Sequence, residues 1–241
     1  MSDARPALPR PAMTKPPSAA EIASDYIRTL VFTGVLRSGD KVPVEEIADV
    51  LNMSRQPVRE ALIELGHDGL VDIDGRRGTF VAAFGPQTVR DHYELYGVLQ
   101  GFAVRRVAEK RDPEVIEQLR ELERSMRNTL DTAERTALNI EFIRVINHAA
   151  DNIRLRRVIR GMVKFTPGDY YMTNVPDAAQ GNRTRLRKLL AAIEAGDAER
   201  AAAVAIDMWT RAGEHLIDHL NELGVFSTST DLPTKASSGG N

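Results

Sequence analysis

Two short segments of this 241-residue chain carry side chains suited to nucleic acid. In the first, Ser54, Arg55, Gln56 and Arg59 are polar, while Val58, Ala61 and Leu62 recur at helical spacing. One face can therefore be buried and the other offered to a partner. A helix that reads DNA presents long hydrogen-bonding side chains from its first turns. Arginine pairs bidentately with guanine, glutamine with adenine, and serine bonds phosphate. The unpaired N–H groups at such a helix start also favour phosphate. In the second segment, Arg76 and Arg77 stand between Gly75 and Gly78, which suits a hairpin tip reaching a minor groove or backbone. Other chemistry is scarce. No nucleophile elbow, phosphate-binding glycine loop or HExxH is present, so the residues give no support to an enzyme. With zero cysteines there is no disulfide framework, thiolate nucleophile or cysteine-based zinc site. His215 and His219, four apart on one helix face, could pair on a metal. A solvated helix end, where histidine suits the dipole, is the reading preferred for them.

The elements that must position these residues can be read from periodicity. Apolar residues at Ile22, Tyr26, Ile27, Leu30 and Val31 predict a helix over 20–33, stopped by Gly34. A short helix over 44–51 follows Pro43, with Ile47, Ala48 and Leu51 facing inward. Asn52-Met53 breaks it, and Ser54 is a good N-cap for a third helix over 55–66. The period then changes. Leu70 to Ile73 and Thr79 to Val81 flank the loop Asp74 to Gly78, which predicts a small β-hairpin. Helix, turn, helix and hairpin in this order make a winged helix-turn-helix. Beyond Pro86 the pattern is helical, with helices near 88–110, 113–131, 134–150, 152–164, 178–195 and 198–223.

The expected fold is thus mainly α: a winged helix-turn-helix at 18–83 and an all-α bundle of six helices at 88–225. Tails at 1–17 and 227–241 read as disordered. No apolar run approaches the roughly 20 residues of a membrane helix, and a reducing, cytoplasmic setting fits. The net charge of -2 does not advertise nucleic-acid binding, and residues 18–82 carry 7 Arg and Lys against 11 Asp and Glu. Phosphate neutralisation needs a basic footprint. The distribution answers part of that objection, because Arg55, Arg59, Arg76 and Arg77 fall in the two short segments while most acids lie outside them.

The stretch Gly34 to Val81, with Ser54-Arg55-Gln56-Pro57-Val58-Arg59-Glu60-Ala61-Leu62, Gly69-Leu70-Val71 and Gly75-Arg76-Arg77-Gly78-Thr79-Phe80-Val81, resembles the DNA-binding domain of the GntR family. The resemblance implies Arg55 and Arg59 as principal base or phosphate contacts, Ser54, Gln56 and Pro57 beside them, and Gly75 to Arg77 as the wing contact. Some fatty-acid-responsive members carry a further arginine where this chain has Glu45, so that contact is not carried over. The helical remainder resembles the FadR subgroup and its effector-binding FCD domain, through Ala192-Ile193-Glu194-Ala195-Gly196-Asp197 with Ala201 and through Asn139-Ile140-Glu141-Phe142-Ile143 with Ala149, Ala150 and Asn152.

Many FCD domains hold a divalent metal with one Asp and three His. The resemblance places Asn139, Ile143, Leu186 and Met208 at those positions. Aliphatic and thioether side chains do not hold such an ion, so no metal or other cofactor is expected, and the effector is apolar, neutral or absent. A lipid or acyl-CoA is one class the resemblance implies. Pocket residues facing the bundle interior are Tyr96, Leu99, Asn139, Ile143, Leu186 and Met208, with Arg144 and Asn147 as polar contacts. Phe165 to Met172 is a polar-aromatic connection at the pocket mouth. The expected function is a dimeric repressor that reads a palindromic duplex and is released by a small effector. The alternative is a ligand-independent DNA-binding dimer whose helical domain serves only assembly.

Overall fold

The computed structural model describes residues 16–167, 170–175 and 178–226. The tail expected at 227–241, and that at 1–17 apart from its last two residues, lie outside them. The chain opens with α1 (Ala19–Phe32), α2 (Val44–Val50) and α3 (Arg55–His67), followed by β1 (Val71–Asp74) and β2 (Gly78–Val81). Then come α4 (Pro86–Lys110), α5 (Pro113–Asn128), α6 (Thr132–Ala149), α7 (Ile153–Val163), α8 (Tyr170–Asn174), α9 (Ala178–Ala195) and α10 (Ala198–Glu222). This is the expected winged helix-turn-helix followed by an all-α part.

Local chemistry explains the boundaries. Ser18 and Glu21 form a reciprocal capping box at the start of α1, which therefore begins a residue earlier than expected. Gly34 ends it at φ +72°, a left-handed conformation open to glycine. Helix α5 stops at Asn128 rather than 131, because Asp131 turns to cap α6 by accepting from the N–H groups of Ala133 and Glu134. Short α8 lies inside the stretch read as a connection from Phe165 to Met172, of which residues 168 and 169 are outside the described set.

β1 and β2 pair antiparallel with Val71 opposite Val81 and Asp74 opposite Gly78. A feature not expected from sequence is a third edge. Val42 N–H donates to Thr79 O at 2.9 Å and Val81 N–H to Asp40 O at 2.8 Å, so residues 40–42 brace the hairpin from its other side. Inside the head, Val58, Ala61, Leu62 and Leu65 of α3 pack with Ala23, Ile27, Val31 and Phe32 of α1. That apolar cluster continues into Tyr93 of α4, Tyr170 of α8 and Leu216, Ile217 and Leu220 of α10. A second cluster, built around Phe142, Ile146, Leu189 and Ile193, fills the middle of the helical part.

Candidate functional site

The face expected to meet DNA is exposed and largely uncommitted. Ser54 caps α3 with extended backbone, yet its hydroxyl makes no cap hydrogen bond. The first-turn N–H groups and the hydroxyl therefore remain free for a phosphate oxygen. Ser54, Arg55, Gln56 and Arg59 are exposed, Pro57 is half-buried, and Val58 behind them is buried. Among the described residues Arg59 has no hydrogen-bond or ion-pair partner. Gln56 Nε2 donates to Glu60 at 3.0 Å. Arg55 lies 3.2 Å from Glu45 of α2, an exposed pair. The acidic residue at position 45 thus engages the Arg55 guanidinium.

At the wing, the Asp74 carboxylate accepts from the backbone N–H groups of Arg76 at 2.9 Å and Arg77 at 3.1 Å. That turn fixes Gly75 to Arg77 and leaves both guanidinium groups outward, Arg77 stacked over the Phe80 ring at 5.5 Å.

Within the helical part, α4, α6, α7, α9 and α10 enclose a cavity of about 130 Å³. Tyr96, Asn139, Ile143 and Met208 line it, as expected from sequence. A neighbouring groove of about 370 Å³ shares Tyr96, Asn139 and Ile143 and adds Arg144 and Asn147. Leu99 and Leu186, also expected at the pocket, do not line this cavity: Leu186 is buried within the second apolar cluster and Leu99 packs against it. Leu99 lies almost a turn beyond Tyr96 along α4. Leu186 is rotated about 100° from Arg185, which takes the wall position instead.

Sequence reading missed His92, Arg185 and Trp209, all in the wall, and had Tyr171 only within the connection at the mouth. A helical face can be predicted from spacing, but which neighbours leave a gap opposite it depends on packing. Trp209 meets Tyr96 edge-on at 4.6 Å, and His92 stacks on Phe165 at 3.9 Å. Thr166, Tyr171 and Met172 border the cavity, so the connection after α7 lies at its edge. The same connection touches the head. Phe165 and Tyr170 pack against Phe32, Tyr170 donates to Phe32 O at 2.9 Å, and Lys164 pairs with Glu64 of α3 at 2.7 Å.

Burial sets the charge inside. The Tyr96 and Tyr171 hydroxyls are each pushed up to about 12, and Tyr93 is raised as well. His92 is pushed down to about 4 by burial, against a hydrogen bond to the Met162 backbone. At neutral pH the ring is uncharged. The unfolded chain takes up the imidazole proton near its ordinary value of about 6.5, which the folded chain refuses until about 4. Stability is therefore whole above pH 6.5 and falls as pH drops through that window, by up to about 1.4 kcal/mol per pH unit. Urea midpoints at pH 7 and pH 5 check this: the difference should narrow in His92→Phe, and an unchanged difference would assign the acid sensitivity elsewhere.

The side chains at 139, 143, 186 and 208 do not fit a divalent ion. Two are hydrocarbon, one is a thioether and one an amide, and no group of three or more His, Asp or Glu among the described residues could hold a metal. His219 Nε2 instead lies 3.4 Å from the Tyr170 hydroxyl, and both His215 and His219 are half-buried rather than on a solvated face.

A winged helix-turn-helix head on an all-α domain with an interior cavity is the architecture of helix-turn-helix regulatory proteins. Residues 19–81 match the family of bacterial regulatory proteins of the gntR type, and residues 91–211 match the FCD domain. The chain belongs to the GntR family and carries an FCD domain. It is 38% identical over 148 residues to an uncharacterized HTH-type transcriptional regulator of Mycobacterium tuberculosis, Rv0043c, the match spanning 61% of each chain. It is 29% identical over 128 residues to the Nta operon transcriptional regulator of Aminobacter aminovorans, covering 52% of this chain and 61% of that one. The chain thus spans about 61% of the length of these curated relatives. Among solved structures, E. coli McbR/YncC shares the fold with a TM-score of 0.58 at 21% identity, over 83% of this chain and 98% of that one.

Proposed function

We propose that this chain is a sequence-specific DNA-binding transcription regulator that acts as a homodimer, a repressor released from a palindromic operator when its helical domain takes up a small effector. The observation that carries the DNA reading is the start of α3, where an uncapped Ser54 and an unpartnered Arg59 stand exposed above a fully buried Val58. Arg76 and Arg77 on the fixed wing turn support it. A stripe on α4, Leu95, Val98 and Phe102, is 46 to 55% exposed and apolar, and it supports self-association of the helical domain. The interior cavity favours an effector over a domain that serves assembly alone. Its side chains support an effector held without metal. A cytoplasmic setting follows from a genomic target, and no helix among the described residues is long and apolar enough to cross a membrane.

Selection from randomised duplexes gives the operator, and fluorescence anisotropy on the selected duplex then tests the face. Arg59→Ala is expected to weaken binding about 10- to 100-fold, the worth of one good arginine contact. Glu45→Gln is expected to tighten it several-fold at low salt, with the gain fading as salt screens it, because it frees Arg55. Unchanged affinity in Arg59→Ala, together with unchanged affinity in an Arg76→Ala, Arg77→Ala double variant, would sink the assigned face.

A further inference from the structure

Of the three long side chains offered at the start of α3, two are already held by a carboxylate. Arg55 Nη1 lies 3.2 Å from Oε1 of Glu45 in the first turn of α2, and Gln56 Nε2 donates to Glu60 Oε1 at 3.0 Å. Arg59 is left without a partner among the described residues. An acid beside a DNA-reading arginine weakens attraction to any duplex, because it repels the phosphates. Residues 18–82 already carry 7 Arg and Lys against 11 Asp and Glu. What the acid supplies is orientation. A free, exposed arginine samples many rotamers and settles on a phosphate oxygen as readily as on a base. Its guanidinium is a planar fork of five N–H donors. With Nη1 turned to Glu45, the edge formed by Nε and Nη2 stays open. One such edge is what the O6 and N7 acceptors of a guanine take bidentately. The exposed pair is weak in water and strengthens once DNA excludes the solvent.

We infer that Glu45 is a specificity-determining residue: it holds Arg55 with one guanidinium edge toward the bases, so that the operator is chosen by a guanine at one position and attraction to arbitrary duplex stays weak. The inference rests on the reading of the α3 start as the DNA-reading face. The gain in affinity expected of Glu45→Gln is then accompanied by a loss of discrimination, which charge removal alone does not produce.

Fluorescence anisotropy on the selected operator and on a scrambled duplex of equal length gives the ratio of the two affinities. It is measured for the full-length protein, for Glu45→Gln, for Arg55→Ala and for the double variant, at low and at high salt. Glu45→Gln should strengthen binding to the scrambled duplex about 10-fold at low salt, the effect of one charge on the counterion balance. The operator should gain only about 3-fold, because the guanine contact is lost in part, so the ratio falls about 3-fold. That fall should persist at high salt, where the gains themselves fade. In the Arg55→Ala background Glu45→Gln should leave the ratio unchanged. Selection repeated with Glu45→Gln should broaden the same guanine position that Arg55→Ala broadens, and leave the position read by Arg59 as it was. Glu45 and Arg55 are both exposed, and thermal unfolding confirms that each variant is folded. Equal gains on the two duplexes, or a fall in ratio that survives without Arg55, would mean that Glu45 acts by charge alone; either overturns the inference and leaves the DNA face standing. Failure of the face itself shows separately, as unchanged operator affinity in Arg59→Ala and in the Arg76→Ala, Arg77→Ala double variant.

Discussion

Arg28→Ala should cost the protein about 3 to 5 kcal/mol, in the range of the most damaging core truncations. Arg28 sits in α1 at 1% exposure and is the largest fully buried side chain described. Its guanidinium donates to Ser24 Oγ and to the Asp68 carboxylate, each at 2.6 Å, with Asp25 at 3.5 Å. Asp68 caps the C-terminal end of α3, so this one cation ties α3 to α1 from inside. Removing it leaves a void as long as the side chain and loses three charge-assisted contacts. Asp68→Ala should fall at or below the low end of the same range. Its side chain is 36% exposed, so water already screens the pair, and Asp25 remains to offset the buried charge. Arg28→Met refills the volume and should recover most of the loss, since Asp68 can turn to solvent. Urea unfolding of the three variants measures this. If Arg28→Ala and Arg28→Met were equally unstable, the ion pair rather than packing would be the dominant contribution. Operator affinity should fall with stability in Arg28→Ala, because α3 loses its anchor while Arg55 and Arg59 themselves are untouched.

The head was legible in the sequence because each of its elements is announced locally: Ser54 before an apolar period, Gly34 and Gly69 after one, and arginines between glycines. Its element ends agree with the structure to within about two residues. What stayed hidden there were partners distant in sequence. The strand-like brace of residues 40–42 on β2 has no periodicity of its own, and nothing local pairs Arg28 with Asp68, 40 residues away. In the helical part, the resemblance to FCD domains pointed to Asn139, Ile143 and Met208, and the expected inward face of α4 to Tyr96. Neither showed where packing leaves space, and Leu186 and Leu99 lie in and against the apolar core beside the cavity rather than in its wall. The connection after α7 carried the least signal and holds the most varied contacts. Phe165 touches His92 at the cavity and Phe32 in the head, so a ligand that moves this connection acts on both. Such a two-sided contact is what an effector needs if it is to bias head placement.

Gly97, Gly101 and Gly213 drew no reading from the sequence, yet the last of them sets the approach of the two longest helices. A Cβ placed on Gly213 of α10 would lie 2.7 Å from Tyr93 Cβ on α4. That neighbour is fixed to the backbone, so no side-chain rotation relieves the contact, and the helices must separate. Gly97 and Gly101 give the same closeness on the facing side, with a Cβ 3.3 Å from Trp209 Cβ and 3.0 Å from Ile206 Cγ1. Alanine at 213 gains about 1 kcal/mol of helix propensity and loses more to overpacking, a small net destabilisation. Valine adds two methyl groups at the tightest point, and Gly213→Val should destabilise by about 3 kcal/mol net, near 10 °C in Tm for a chain of this size. Tyr93 and Trp209 both border the cavity, so a strained crossing also displaces its wall. Gly161 supplies the control. It lies near the end of α7 with nothing within 4 Å of an added Cβ, and Gly161→Ala should raise Tm slightly through propensity alone. Thermal unfolding of the pair, with Trp209 emission recorded in the folded state, checks both halves of the argument: Gly213→Val should lower Tm and shift the emission maximum, and Gly161→Ala should do neither. A Gly213→Val protein as stable as the parent would mean that α4 and α10 can part freely at this crossing, and that the cavity between them is not held to one size.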